Sequence, residues 1–233
     1  MRAVGERPWG QVKPEHDVSR AEAAQVGAEK KSLYDSQRDT ARIQQAREDY
    51  ADLQETFLSP WWGQLRFLDE FGVHQGLTRL HARAAPGVRV AESTPGYSGP
   101  HYTVVATLGV DGVEAPWIFE GAMDQQVFLT YVTHVLVPTL RPGDIVILDN
   151  LGAHKSAAAE TIVRSMGAYL VFLPPYSPDL NPIELCWSQV KRRLRRAKAR
   201  TFEALIEALR LALLKITSHD ALSWFDHCGY LAA

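Results

Sequence analysis

The sequence predicts an α/β fold in which a mixed β-sheet carries helices on its faces. Three observations support this: short strands joined by Gly and Pro turns come first, two continuous apolar runs follow, and helical patterns surround those runs. Antiparallel strands with one exposed face alternate apolar and polar residues, whereas strands covered on both faces are apolar throughout. The predicted order is therefore three or more β, then α, β, α, β and α.

A charged extension, residues 1–60, precedes this fold. It contains 20 of the 52 charged residues, and the composition changes near Ser59 to Trp62. Apolar residues at spacings of three and four predict one amphipathic helix over about 40–58. We expect this helix to dock on the main domain, residues 61–233, and a coiled coil with a partner helix is the alternative. Residues 1 to about 38 are predicted to be loosely structured.

Strands and helices follow in the main domain. Alternation predicts a first strand at 65–69, and three more short strands complete an antiparallel meander at 77–83, 101–110 and 117–120. The apolar runs at 145–148 and 169–173 predict strands buried on both faces. Apolar periodicity predicts the helices at 125–140, 154–166, 181–196 and 202–215.

Composition excludes several classes of protein. No apolar run approaches the 18 or so residues that cross a bilayer, and the first ten residues lack the apolar stretch of a secretory signal. The chain has only Cys186 and Cys228, which excludes a disulfide scaffold. We therefore expect a cytoplasmic protein that makes no contact with a membrane.

Basic residues are concentrated in one segment, although the formal net charge is −2. Seven of the 25 basic residues lie between Lys191 and Arg200, and no acidic residue occurs from 185 to 202. Such a block favours phosphate binding, with a solvated helix face as the alternative. We expect the DNA-binding residues to be Lys191, Arg192, Arg195 and Arg196.

Three acids fall where α/β proteins build sites. Asp69 ends the first predicted strand, Asp149 ends a buried strand, and Glu184 lies in the first turn of a helix. Convergent carboxylates are the ligands that two Mg²⁺ ions need in phosphoryl transfer. Each acid also has a structural explanation: a turn at Asp149, an arginine partner for Asp69, or a capping box in which Asn181 and Glu184 cap their helix.

Two long motifs carry a family resemblance. LDNLGAHKS at 148–156 and FLPPYSPDLNPIELCWSQVKRRLR at 172–195, with FLDE at 67–70 and FDHCGY at 225–230, resemble the DDE transposases of the mariner-like superfamily, most closely its bacterial insertion-sequence branch. The resemblance covers about residues 60–230. It implies an RNase H-like fold and a site in which Asp69, Asp149 and Glu184 are catalytic and bind two Mg²⁺ or Mn²⁺ ions.

The resemblance also implies a reaction and its partners. A metal-activated water cleaves a phosphodiester, and the freed 3′-OH then attacks target DNA, so the partners are transposon ends and a target duplex at the bacterial nucleoid. Such enzymes carry helix-turn-helix modules ahead of the catalytic domain, but residues 1–60 show no convincing pair of basic helices. We expect a homodimer or a separate upstream helix-turn-helix segment to supply recognition. The alternatives are a non-catalytic transposase remnant that binds DNA or oligomerises and, third, a simple RNase.

Three further residues are candidates for holding a phosphate or a metal-bound carboxylate: Asn150, His154 and Asn181. His154 lies five positions after Asp149, within reach of a hydrogen bond to either group. Its alternative is an ordinary polar residue at a helix start. Four prolines between 174 and 182 are expected to fix the loop that presents Glu184.

Overall fold

The protein is described by a computed structural model that covers residues 36–79, 81–94, 96 and 99–231. Most of the predicted loose segment therefore lies outside the described residues, and Ser36–Asp39 form a single 3₁₀ turn. None of the helices within the described ranges is both long and apolar enough to cross a membrane.

One mixed five-stranded sheet forms the centre of the fold. Its strands are β1 (Leu65–Val73), β2 (Tyr102–Gly109), β3 (Gly112–Glu120), β4 (Ile145–Leu148) and β5 (Tyr169–Phe172). Their order across the sheet is β3-β2-β1-β4-β5. The first three strands are antiparallel, and β4 and β5 continue the sheet parallel to β1. The predicted mixed sheet is thus confirmed, but the prediction that the strand at 169–173 is buried on both faces is wrong, because β5 lies at the edge of the sheet and its residues are exposed or half-exposed.

The meander differs from the prediction in two places. The predicted strand at 77–83 is wrong, because residues 77–79 and 81–83 are irregular. Both edges of β1 are already paired with β2 and β4, and Arg200 instead donates hydrogen bonds to the carbonyls of Gln75 and Leu77. Asp69 also does not end its strand, since β1 continues to Val73 by pairing with β2 alone.

Six α-helices flank the sheet within the described residues. They are α1 (Ala41–Leu53), α2 (Gln125–Tyr131), α3 (Ala157–Ser165), α4 (Pro182–Ala197), α5 (Phe202–Leu213) and α6 (Ser218–His227). Helices α1 and α2 each continue into a π-helical turn, at Gln54–Leu58 and Val132–Leu136. The periodicity of the sequence did not predict α6, which begins with a capping box of Thr217 and Asp220.

The two faces of the sheet have separate cores. Apolar side chains of α4, α5 and α6 pack on one face, around Phe67, Ile147 and Trp187. Those of α2 and α3 pack on the other face, around Leu68 and Leu148. Alternation along β1 and β4 divides the two cores, because successive strand residues point to opposite faces.

Helix α1 packs against the α4 side of the domain that follows it. Tyr50 is buried, and its hydroxyl lies 2.8 Å from that of Tyr230, which donates a hydrogen bond to the carbonyl of Leu180. One turn later, Gln54 Nε2 donates a 2.8 Å hydrogen bond to the carbonyl of Cys228. The helix and its π-helical turn are thereby tied to the C-terminal part of the chain. The boundary near residue 60 stays a prediction.

Candidate active site

The register of β1 and β4 places Asp69 beside Asp149. These strands are parallel, and their last pair joins Leu68 to Leu148. Asp69 and Asp149 are the next residue of each chain segment. Because neighbouring strands lie about 4.8 Å apart, the two acids lie side by side, Asp69 within β1 and Asp149 just after β4.

Helix α4 brings the third acid to the same place. Glu184 lies in the first turn of α4 and is exposed. Asp69, Asp149 and Glu184 line one cleft of about 380 Å³. Asn150 and Asn181 line it as well, so the structure brings together five of the six residues predicted for this site.

Asp69 is the most strongly perturbed of these acids. Asp69 is buried, with only 8% of its surface exposed. Burial, followed by the nearby charges of Glu184, Glu70 and Asp149, raises the pKa of Asp69 well above its usual range. A cation bound in the cleft would relieve both causes, since it replaces lost solvation and offsets the like charges.

His154 holds Asp149 from behind the cleft. The imidazole is fully buried, and its Nδ1 lies 2.6 Å from Asp149 Oδ1. Its Nε2 lies 3.3 Å from Glu70 Oε2. Burial alone would lower the pKa of His154, but the two carboxylates outweigh it and raise the pKa to about 10. The imidazolium therefore donates to Asp149 at neutral pH, which orients that carboxylate.

Glu70 is a further charged residue beside the site, and the sequence patterns did not predict its contact with His154. It directly follows Asp69 and so points to the opposite face of the sheet, toward His154. The signal was present in the FLDE segment, where two consecutive acids on a strand must face opposite sides. His154 thus connects β1 to the segment after β4.

Asn181 and Glu184 do not form the capping box that was their alternative explanation. Asn181 occupies the N-cap position, but its side chain makes no capping hydrogen bond. Its Oδ1 is buried without a hydrogen-bond partner among the described residues, and Asn181 is only 3% exposed. A buried polar atom without a partner is costly unless another group binds it. Glu184 and Asn181 are therefore both available to the cleft.

The loop before α4 is held by the segment around α1. Arg47 forms two hydrogen bonds to the carboxylate of Asp179, at 3.2 and 2.7 Å, and one of 2.5 Å to Ser177. Arg38 contacts the same carboxylate at 3.0 Å. These arginines outweigh burial and hold the pKa of Asp179 below its usual range. In addition, Tyr176 adopts a positive φ of 56° and donates a hydrogen bond to Gln37.

The basic block divides into two groups. Lys191, Arg192, Arg195 and Arg196 lie on the exposed and half-exposed surface of α4, as predicted, with Lys191 Nζ 5.1 Å from the ring centroid of Phe71. The other three are engaged within the protein: Arg193 with the Ala212 carbonyl, Lys198 with Glu92, and Arg200 with the segment after β1. Within the described residues, the first group therefore carries the charges of the block that no ion pair or hydrogen bond occupies.

The donors in the cleft fit a hard divalent cation. Three carboxylates, one of them with a raised pKa, and the free amide oxygen of Asn181 are all oxygen ligands of the kind that Mg²⁺ and Mn²⁺ prefer. Among the residues that the structure describes, however, no three Asp, Glu, His or Cys side chains are grouped tightly enough to hold an ion. Metal binding would therefore require these side chains to move closer together.

Comparison with known families decides the relationship. The family model described as DDE superfamily endonuclease matches residues 64–206. The chain belongs to this family. The matched region begins just before β1 and ends within α5, so it contains all three acids. No curated protein matches the chain closely enough to add a relative by sequence.

The DDE endonuclease fold is also similar to solved structures of Mos1 transposase. The Mos1 strand transfer complex matches with 15% identity and a TM-score of 0.65, over 88% of this chain and 63% of that one. The Mos1 mariner paired end complex with Mn matches with 14% identity and a TM-score of 0.67, over 87% and 64%, and that complex has also been solved with Mg. The catalytic domain of Mos1 mariner transposase matches with 10% identity and a TM-score of 0.59, over 84% and 91%.

These matches confirm the RNase H-like fold. The chain spans 63% of the Mos1 chain in the first complex but nearly all of the isolated Mos1 catalytic domain. Assignment to the bacterial insertion-sequence branch stays a prediction.

Proposed function

We propose that this chain is the catalytic domain of a DNA transposase that cleaves and joins DNA strands at transposon ends. The observation that carries the proposal is that Asp69, Asp149 and Glu184 line one cleft. Asp69 and Asp149 meet there because each follows the last paired residue, Leu68 or Leu148, of two adjacent parallel strands. Membership of the DDE endonuclease family and similarity to the Mos1 catalytic domain support the same reaction class.

The three acids are the proposed ligands of two Mg²⁺ or Mn²⁺ ions. When bound, such ions activate water and neutralise charge on the phosphate under attack. Asp69 supplies a buried carboxylate, Asp149 a carboxylate oriented by His154, and Glu184 one that projects from α4. His154 is the proposed positioning residue for Asp149, since its Nδ1 lies 2.6 Å from Asp149 Oδ1 and the two neighbouring carboxylates raise its pKa.

The exposed surface of α4 extends the site toward DNA. Glu184, Ser188, Lys191 and Arg195 follow one another at spacings of four, three and four, which places them along one side of the helix. Phosphates bound by Lys191, Arg192, Arg195 and Arg196 would lead one strand to the acids. We also propose that a homodimer or an upstream helix-turn-helix segment selects the transposon ends, in the cytoplasm at the nucleoid.

The test is metal-dependent cleavage of DNA by the full chain. Supercoiled plasmid incubated with Mn²⁺ or Mg²⁺ should be nicked by the wild type, and Asp149→Asn should abolish nicking while the melting transition is retained. Asp226→Asn, an exposed carboxamide exchange on α6, is the matched control and should cut like the wild type. Cleavage by Asp149→Asn at the wild-type rate would contradict the proposed site. A wild type that binds DNA but never cuts would favour the non-catalytic alternative.

A further inference from the structure

One wall of the candidate active site comes from outside the region matched by the family. Arg42 on α1 lines the cleft that contains Asp69, Asp149 and Glu184. It lies more than 20 residues before residue 64, where the match begins. Among the residues that line this cleft in the described part of the chain, Arg42 is the one with a positive charge.

Arg42 differs from the other arginines of its segment. Arg38 and Arg47 are both bound to Asp179. Arg42 is exposed and forms no ion pair or hydrogen bond with the described residues, although three carboxylates share its cleft. Within the described part of the chain, its guanidinium therefore has no carboxylate partner, although it lines the same cleft as the three acids.

The backbone that carries Arg42 is fixed in place. The next residue, Ile43, is buried at 1% exposure, and Arg47 and Tyr50 bind Asp179 and Tyr230 from the following turns. A side chain on such a helix begins from a defined position, which lowers the entropy lost when it binds a ligand. The packing of α1 therefore has a consequence for the cleft as well as for stability.

We propose that Arg42 binds a phosphate of the DNA strand in the active site, opposite the three metal-binding acids. This inference rests on the proposed function. A cleft with three carboxylates repels a phosphodiester, and a guanidinium offers two parallel N–H donors to the phosphate oxygens. Metal ions held by the acids would neutralise part of the phosphate charge, and Arg42, which lines the same cleft, would donate hydrogen bonds to the phosphate directly.

The test compares Arg42→Ala and Arg42→Lys with Arg164→Ala, an exposed arginine on α3 that does not line the cleft. Three quantities are measured on the full chain: Mn²⁺-dependent plasmid nicking, the salt dependence of duplex binding without divalent metal, and Mn²⁺ affinity by titration. Arg42→Ala should lower nicking at least tenfold and reduce the salt slope by about 0.9, the value for one neutralised phosphate. Arg42→Lys should retain the slope and recover part of the nicking, since it keeps the charge but loses the paired donors.

Mn²⁺ affinity separates this role from a structural one. Removal of a cation near the acids should leave Mn²⁺ affinity unchanged or increase it, whereas damage to the site would weaken it. Wild-type nicking and salt slope in Arg42→Ala would overturn the inference, and so would a loss of Mn²⁺ affinity equal to that of Asp149→Asn. If the wild type does not nick DNA, the proposed function fails, and the salt slope of Arg42→Ala still decides whether Arg42 contacts phosphate.

Discussion

Two consecutive acids, Asp69 and Glu70, lie on opposite faces of the sheet and have different surroundings. Asp69 pairs with Ala106 of β2, whose side chain belongs to the core under α4. Glu70 pairs with Val105, whose side chain belongs to the core under α2 and α3. The first acid is left among like charges in an open cleft, and the second lies against the buried imidazole of His154.

The difference assigns the two faces different roles: one carries the acids of the cleft, and the other carries groups that orient them. On the α4 face, the carboxylates repel one another, which raises the free energy of the folded state. Such clusters are typical of functional sites that bind a cation. The α2 and α3 face provides a charge partner that neutralises Glu70 and orients Asp149. In the proposed function, one strand therefore supplies a metal ligand, Asp69, to one face and the partner of His154, Glu70, to the other.

The sharpest test of this division is Asp69→Asn against Glu70→Gln. Asp69→Asn should reduce metal-dependent cleavage by about three orders of magnitude or more, because it removes a charge that the metals need. Glu70→Gln should reduce it only about 10- to 100-fold, the usual cost of losing a partner of a metal ligand. Single-turnover nicking rates at saturating Mn²⁺ measure both, and equal losses would erase the distinction between the faces.

Stability should change in the opposite direction to activity at Asp69. Since burial and the nearby carboxylates raise the pKa of folded Asp69, its charged form opposes folding, and this cost disappears as the pH falls through the folded pKa. Without metal, Asp69→Asn should therefore melt at a higher temperature at pH 7, by about 2–4 °C for each kcal/mol gained. The gain should vanish in acid. Calorimetry at two pH values checks this, and a lower melting temperature at pH 7 would contradict it.

His154 predicts a second dependence on pH, on the other face. Its folded pKa of about 10 exceeds the ordinary value of 6.5. The stabilisation that protonated His154 gains from Asp149 and Glu70 is therefore complete below about pH 6.5 and is lost as the pH rises through 10. His154→Gln should remove this decline from denaturant titrations between pH 6.5 and 10, and should lower cleavage about 10- to 100-fold. A decline that persists in the variant would assign it to another group.

The basic surface tests whether DNA approaches from the α4 side. Changing Lys191, Arg192 and Arg195 to Ala should weaken duplex binding and reduce the salt slope by up to about 2.7, since each phosphate that is no longer neutralised removes about 0.9. The helix should persist because Ala is a strong helix former and the buried side of α4 is untouched. The matched control replaces Arg141, Arg164 and Arg210, three exposed arginines that are not on α4. An equal effect in both triple variants would indicate net charge alone.

Sequence patterns predicted the acids of the cleft on the α4 face better than the contacts on the α2 and α3 face. The apolar run at 145–148 placed Asp149 at a strand end, and the proline motif placed Glu184 at a helix start, because both signals are local. The contact between Glu70 and His154 was not predicted, since it depends on which face each strand residue occupies. Arg42 was not predicted either, because its place in the cleft follows from how α1 packs on parts of the chain that are distant in sequence.

The smallest effect on cleavage is expected from the contact of Arg47 with Asp179 and Ser177, which holds the proline-containing loop before α4. Arg47→Ala should slow cleavage about threefold to tenfold, because Asp179 and Ser177 lose the side chain that positions the loop before Glu184. The loss of stability should stay below about 1 kcal/mol, since the Asp179 side chain is 44% exposed and water screens the pair. The charge-reversed pair Arg47→Asp with Asp179→Arg should recover part of the rate that either single reversal loses. If instead the single and paired reversals all cleave at the wild-type rate, the Arg47 contact does not position the loop, and its prolines with the contacts of Arg38 and Gln37 are sufficient to hold it.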